Sequence, residues 1–177
     1  SDDEGISSQE VCSKIQEIYP LLNIRFLKES IIGGVTLTRN KVFELANSEI
    51  IFFGDDDYLA SETLLEGGLK SFDDSQVAIV TGPLVPLYEN EPPNWVEKLW
   101  EKHPLGRYLS DFTLLDFNSQ NDTEIESKFC FWSNLAVRKN FFMMSPGFGP
   151  DGFGGKFTRY NGSGEHFLNS YAYNQGL

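Results

Sequence analysis

Three consecutive aspartates, Asp55, Asp56 and Asp57, carry the clearest chemical signal in the sequence. They directly follow Gly54 and the apolar run 49–53, which is typical of a buried parallel strand. Ligands of parallel sheets bind at the carboxyl ends of the strands. Because side chains alternate along an extended chain, Asp55 and Asp57 are expected on one side and Asp56 on the other. Two such carboxylates suit Mg²⁺ or Mn²⁺, so Asp55 and Asp57 are predicted metal ligands.

A competing interpretation makes these aspartates a solvated loop that caps the next helix. The strand in front of them weakens this interpretation, and so does Ser61, which is available as the cap of a helix over 62–72. Both interpretations place the three aspartates between a strand and a helix.

The charge balance limits the kind of ligand. The 177 residues include 14 basic and 26 acidic side chains, a net charge of −12, which argues against nucleic acid and against an anionic membrane surface as partners. A phosphate-bearing ligand would therefore need a local Arg, a helix N-terminus or a metal ion. The two cysteines, Cys12 and Cys130, favour a reducing compartment. No apolar run approaches the ~20 residues of a membrane span, and 1–5 do not resemble a signal peptide.

Helices and strands are predicted to alternate through the first half of the chain, which indicates an α/β fold with a parallel sheet. Ser7 and Glu10 have the spacing of a capping box at the start of the first helix. The predicted helices cover 7–19, 35–46, 62–72, 94–102 and 165–174, and the predicted strands cover 23–27, 49–53, 77–82 and 129–139. From Pro83 onward, prolines and aromatic residues predict a long irregular excursion.

Two further groups of polar residues could belong to a site. Arg39 and Asn40 lie on the second predicted helix, where a surface Arg and a mild helix breaker are the alternative interpretation. Glu165 and His166 follow small residues at the start of the last helix. That position stabilises an ionised carboxylate and disfavours a protonated imidazole. A surface His and a first-turn Glu are the alternative there.

Taken in order, these segments resemble the family 2 glycosyltransferases, whose GT-A fold is Rossmann-like. The matching segments are SDDEGISS, GVTLTRN, EIIFFGDDDY, SNLAVRKNFF with Asn134, Ala136 and Arg138, and PGFGPDGFGG with Gly147 and Phe148. Each is weak alone, whereas five in order are fairly specific. The resemblance covers nearly all of the chain except about 84–128.

The resemblance implies a mostly parallel sheet flanked by helices in a single domain over 1–177, with a nucleotide-sugar half (1–82) and an acceptor half (83–177). Asp2 or Asp3 would lie near the nucleotide base, and Arg39 and Asn40 near the nucleotide or its phosphates. Asp55 and Asp56 would contact the nucleotide sugar, and Asp57 is favoured as the direct metal ligand. The cofactor would be Mn²⁺ or Mg²⁺.

The implied reaction moves a sugar from a nucleotide-diphosphate donor, with a UDP-sugar favoured, to the hydroxyl of a saccharide or lipid-linked saccharide, with inversion. The family's general base is an Asp that follows Glu in its GED segment, and His166 stands there in this chain. The base would be His166 or Glu165, or activity is lost. Aromatic residues over 88–112, together with Trp132, could stack on sugars or form a small core.

A second departure concerns the chain ends. The family begins with a strand, a helix and another strand before the early acidic loop and continues past the last helix. The chain is therefore expected to be incomplete at both termini, and a cytoplasmic location, possibly at the inner face of a membrane, is expected.

Three other functions stay open. One is a non-catalytic sugar- or partner-binding module on a degenerate transferase fold. Another is a sugar nucleotidyltransferase, although no phosphate loop rich in Gly and Lys is visible near the N-terminus. An aspartate-phosphorylated signalling domain would need a Lys after a later strand, and none is obvious.

Overall fold

A computed structural model describes residues 7–28, 34–118, 122–149 and 164–176. The chain forms two compact units, residues 1–32 and 33–177. None of the helices in the described ranges combines the length and apolarity that crossing a bilayer requires.

The described part of the first unit, residues 7–28, contains one helix, α1 (Ser8–Ile18). Its predicted capping box is confirmed: the Ser7 hydroxyl accepts from the Glu10 amide, and the Glu10 carboxylate accepts from the Ser7 amide. The predicted strand over 23–27 is wrong, because no described residue pairs with it. The Ile24 amide instead donates to the Gln16 side chain at 3.0 Å, which ties this segment back to α1.

The second unit holds two three-stranded sheets and five α-helices in its described residues. The helices are α2 (Gly34–Leu45), α3 (Leu64–Ser71), α4 (Asn94–Glu97), α5 (Lys139–Met144) and α6 (Gly164–Gln175). The strands are β1 (Ile50–Gly54), β2 (Ile79–Thr81), β3 (Glu101–His103), β4 (Gly106–Leu109), β5 (Leu114–Phe117) and β6 (Asn134–Arg138).

The first sheet has the order β1-β6-β2, and β6 runs antiparallel to both neighbours. The expectation of a mostly parallel sheet is therefore wrong for the described strands. β1 and β2 do run in the same direction, as their pattern predicted, but β6 lies between them. β6 has five residues and is therefore shorter than the strand that was predicted over 129–139.

The core lies on this sheet and is rich in phenylalanine. Phe43 of α2 is fully buried, and its ring stacks on Phe142 of α5 with 3.4 Å between centroids. The remaining buried members of the cluster are Ile51, Ala78, Leu135, Val137, Phe141, Phe148, Leu168 and Ala172. α2, α5 and α6 thus bury their apolar residues against the sheet that carries the acidic loop.

The second sheet, with the order β3-β4-β5, fills much of the segment that was expected to be irregular. Its first turn depends on Gly106, whose φ is +150° and whose Cβ, if present, would run into the Asp116 carbonyl. The predicted helix over 94–102 is only one turn long because the chain enters β3 at Glu101.

The predicted Ser61 cap is also wrong. α3 begins later, after Thr63, which makes no side-chain cap. The Ser61 carbonyl, rather than its hydroxyl, accepts from the Leu64 amide at 3.2 Å.

We expect the free energy of unfolding to fall at alkaline pH because of Cys130. Burial raises the pKa of its thiol from 9.0 to about 11. The folded state keeps the proton that the unfolded state releases, so stability is lost as pH rises from about 9 to about 11. The loss should approach about 2–3 kcal/mol. Urea unfolding of the wild type and of Cys130→Ala across this pH range measures the loss. If the free energy of unfolding changed equally with pH in both proteins, the assignment to Cys130 would be contradicted.

Candidate functional site

The acidic loop, Asp55–Asp57, lies where β1 ends. Asp55 is half-buried, whereas Asp56 and Asp57 are exposed and lie in a turn. The strand alternation that was expected to pair Asp55 with Asp57 does not continue through this turn. Gly54 allows the turn, because a Cβ there would run into the Tyr58 ring, which folds back over the end of the strand.

The carboxylates of the acidic loop take no part in the fold of the residues that the structure describes. Among the described residues, none of the three makes a hydrogen bond or an ion pair. No described group of three or more His, Cys, Asp or Glu side chains is assembled to hold a metal ion. Hard oxygen donors of this kind fit Mg²⁺ or Mn²⁺ when one or two carboxylates bind the ion and ligand oxygens complete its shell.

Asn134 lies beside the acidic loop, since it pairs with Gly54 at the start of β6. Its Nδ2 donates to the Pro83 carbonyl at 3.1 Å, and its own carbonyl accepts from the Thr81 hydroxyl at 2.8 Å. A Cβ at Gly82 would approach Nδ2 to 2.8 Å, so only glycine leaves room for this contact. The ends of β1 and β2 are thereby held on either side of the first residue of β6.

Arg39 is not the surface residue of the alternative interpretation. It is 9 % exposed, and its guanidinium carbon lies 3.0 Å from the centroid of the Trp132 ring. Such stacking is a favourable cation–π arrangement. Trp132 is two residues before Asn134, so Arg39 lies at the same end of the sheet as the acidic loop.

Asn40, the second residue predicted on α2, holds the backbone of Phe148. Its Nδ2 donates to the Phe148 carbonyl at 3.1 Å, and its Oδ1 accepts from the Phe148 amide at 3.0 Å. Gly147 precedes this clamp with a φ of +72°, a value that favours glycine. Asn40 therefore fixes the Gly147–Phe148 segment, and contact of Asn40 with a nucleotide stays a prediction.

The clamped segment connects the acidic end of β1 with the start of α6. The Phe148 ring meets the ring of Phe53, which is two residues before Asp55, edge-on at 5.6 Å. The next residue, Gly149, donates its amide to the Gly164 carbonyl at 2.9 Å. Glu165 follows in the first turn of α6 and is half-buried. Continuous contacts thus run from β1 to the helix that carries Glu165.

Asp2 and Asp3 lie outside the described residues, and so does the His166 side chain, although its backbone belongs to α6. His166 or Glu165 as the general base stays a prediction. Contact of Asp2 or Asp3 with the nucleobase also stays a prediction.

Arg138 lies at the opposite end of β6 from Asn134 and has a structural role. Its guanidinium donates to the carbonyls of Val77, Phe72 and Asp74 and forms an ion pair with Glu49 at 3.2 Å. These contacts join α3, β2 and the start of β1.

We therefore expect Arg138→Ala to destabilise the fold by about 2–3 kcal/mol, because carbonyls that bond a charged donor lose it. Arg138→Lys should recover only part of this, since an ammonium lacks the planar fork. Chemical denaturation measures both variants. A loss of donor binding in Arg138→Ala with unchanged stability would instead assign Arg138 to the site.

The aromatic residues over 88–112 and Trp132 lie in different surroundings. Trp100 and Trp132 each lie beside an arginine, with the guanidinium carbons of Arg107 and Arg39 at 4.4 and 3.0 Å from the ring centroids. His103, Tyr108, Phe117 and Phe129 pack together with ring centroids 4.6–6.4 Å apart, which is the small core of the alternative interpretation. Tyr88, Trp95 and Phe112 stay exposed. Stacking of the aromatic residues over 88–112 and of Trp132 on a sugar stays a prediction.

The described part of the second unit defines an α/β protein with an acidic loop, a buried Arg and a first-turn Glu on elements that meet at one end of its sheet. The sequence model of glycosyl transferase family 2 matches residues 2–142, more than half of the chain. The chain belongs to that family, which confirms the resemblance and implies the GT-A type of α/β fold. No curated protein and no solved structure matches it.

Proposed function

We propose that the protein transfers a glycosyl group from a nucleotide-diphosphate sugar to a hydroxyl acceptor, with inversion and with a divalent metal ion held by Asp55 and Asp57. Family membership supports glycosyl transfer and the binding of a nucleotide sugar and an acceptor in general. The observation that carries the proposal is the acidic loop, whose carboxylates have no partner among the described residues while Phe53 and Phe148 connect it to the start of α6.

Electrostatics supports a metal-assisted donor site. The net charge of −12 would repel a diphosphate, and the acidic loop would add to this repulsion without a cation. Mn²⁺ or Mg²⁺ bound there would neutralise the departing diphosphate. Arg39 can add one positive charge from α2, with its guanidinium oriented by the Trp132 ring.

The bond changes are those of a single displacement. The acceptor oxygen forms a bond to the anomeric carbon while the bond from that carbon to the diphosphate oxygen breaks. The acceptor proton passes to the base, which is Glu165 or His166, and the nucleoside diphosphate leaves. A carboxylate in the first turn of a helix is stabilised in its ionised form, whereas a neutral His has an ordinary pKa near 6.5 that suits proton transfer.

Donor binding is tested by thermal shift of the protein with a panel of nucleotide sugars, each with and without Mn²⁺. A ligand that binds only the folded state raises its apparent stability by RT ln(1 + [L]/Kd). A UDP-sugar that shifts the melting temperature only with Mn²⁺ is the expected result. The absence of a shift with every donor would favour a non-catalytic module.

The base is tested by comparing His166→Ala with Glu165→Gln. The variant that lacks the base should lose about 100-fold or more in turnover, since general base catalysis contributes about 10²–10⁴-fold, while its donor affinity should stay within about twofold. Steady-state turnover and donor titration measure the two quantities separately. Unchanged turnover in both variants would exclude both residues as the base.

A further inference from the structure

A groove runs along the outer side of β2. It encloses about 630 Å³ and follows the chain from Gln76 to Pro83. β2 is the last strand in the order β1-β6-β2, so this side of the strand is a sheet edge in the described structure. The opposite wall is formed by Leu115 and Phe117 of β5, the segment 122–125 and Asn169 of α6.

The backbone of β2 presents hydrogen-bonding groups to the groove. The Arg138 amide donates to the Ala78 carbonyl at 3.0 Å, which makes this a hydrogen-bonded pair of the antiparallel ladder. Pairs alternate along such a ladder, so the amides and carbonyls of Ile79 and Thr81 point away from β6. No described residue forms a hydrogen bond with them. A strand edge of this kind is a template for an added strand.

The side chains of the groove favour a cationic, donor-rich occupant. Its charged lining residues in the described structure are Asp74, Asp122 and Glu124, all acidic. Asn169 is only 4 % exposed, and its Nδ2 donates to the carbonyls of Ser127 and Cys130 at 3.0 Å each. Its Oδ1 has no hydrogen-bond partner among the described residues, so it can accept from an N–H of a ligand.

We propose that this groove binds an extended basic peptide segment of a protein partner, added to the sheet as a strand on β2. Alternate side chains of the peptide would face the apolar wall of Leu115 and Phe117, and the basic ones would meet Asp74, Asp122 and Glu124. This interaction goes beyond glycosyl transfer and does not depend on it, because none of the acidic loop residues lines the groove.

The probe is a fluorescein-labelled octapeptide of alternating Lys and Val, capped at both ends, with fluorescence anisotropy as the readout. It should bind the chain at least tenfold more tightly than the matching peptide of alternating Glu and Val. Two further probes carry N-methyl groups on either the Lys or the Val amides. Only one of them should lose binding, because the amides of an added strand face β2 at every second residue.

The site is tested with matched variants. Thr81→Pro removes the outward amide without touching the ladder to β6, since proline is tolerated on an edge strand, and it should weaken the Lys/Val peptide at least tenfold. Thr81→Val also loses the hydroxyl bond to Asn134 but keeps the backbone amide. Its affinity for the Lys/Val peptide should therefore stay within about twofold of the wild-type value. Glu124→Lys should weaken the peptide, whereas Glu89→Lys, an equal charge change outside the groove, should not.

Circular dichroism and melting temperature verify that each variant is folded. Equal binding of the acidic and basic peptides, or no binding of the basic peptide at 1 mM, would overturn the proposal, and so would loss of binding with both methylated probes. Sedimentation measures the oligomeric state of the wild type and of Thr81→Pro. If the wild type were a dimer and Thr81→Pro a monomer, the edge of β2 would bind a second copy of the chain, and the proposal of a peptide partner would be wrong.

Discussion

Asp57→Ala is expected to abolish most of the metal-dependent binding of a nucleotide sugar, with a loss of about 100-fold or more in affinity, or about 2.7 kcal/mol. The carboxylate is exposed and has no partner among the described residues, so its removal leaves the fold as it is. Binding in Mn²⁺ should fall to the level that the wild type shows without metal, since an acidic protein then lacks the cation that neutralises the diphosphate. Isothermal titration with the donor identified by thermal shift measures this.

Asp73→Ala is the matched control, because Asp73 is also an exposed aspartate. It follows Phe72, whose carbonyl bonds Arg138 at the opposite end of β6 from the acidic loop. Its affinity should equal that of the wild type, and the unfolding free energy of both variants should stay within about 0.5 kcal/mol of the wild type. Unchanged donor affinity of Asp57→Ala in Mn²⁺ would show that the metal assignment is wrong, whatever the family membership.

Phe43→Ala should lower the free energy of unfolding by about 3–5 kcal/mol. Phe43 is fully buried, stacks on Phe142 and lies 5.1 Å from Phe53 between ring centroids. Its removal leaves a cavity that neighbouring rings, fixed to β1 and α5, can fill only in part. Urea denaturation followed by tryptophan fluorescence measures the change.

Phe112→Ala provides the comparison, because Phe112 lies in the turn between β4 and β5 and its ring is 63 % exposed. It should change the unfolding free energy by less than about 0.5 kcal/mol. If both variants lost similar amounts, the core would not be centred on Phe43. A loss of only about 1 kcal/mol for Phe43→Ala would lead to the same conclusion.

The elements that the sequence predicted correctly depend on local signals. Ser7 and Glu10 are three residues apart, so the capping box of α1 involves no distant residue. The signal for β1 is also local, because the apolar run and the three aspartates that follow it are neighbours in the sequence. The acidic loop was therefore found at the end of a strand from residue types alone, and the order of motifs was enough to identify the family.

The strand over 23–27 and the parallel sheet were wrong because strands are defined by pairing. β6 lies between β1 and β2, and these contacts join residues such as Ile51 and Val137 that are far apart in the chain. An apolar run such as 49–53 favours a buried parallel strand, but the direction of its neighbour is decided by residues that are distant in the chain. The meander β3-β4-β5 was missed for the same reason, although Pro104 and Gly106 are turn residues.

The amino-acid sequence by itself predicted α1 and β1 to within one residue at each end, the acidic loop and the family, since each of these depends on neighbouring residues or on their order. Only the tertiary structure decided what individual motif residues do. Asn40 clamps Phe148, Arg39 stacks on Trp132, and Arg138 bonds three carbonyls at the far end of β6. Such roles follow from partners that come close in space only after the chain has folded.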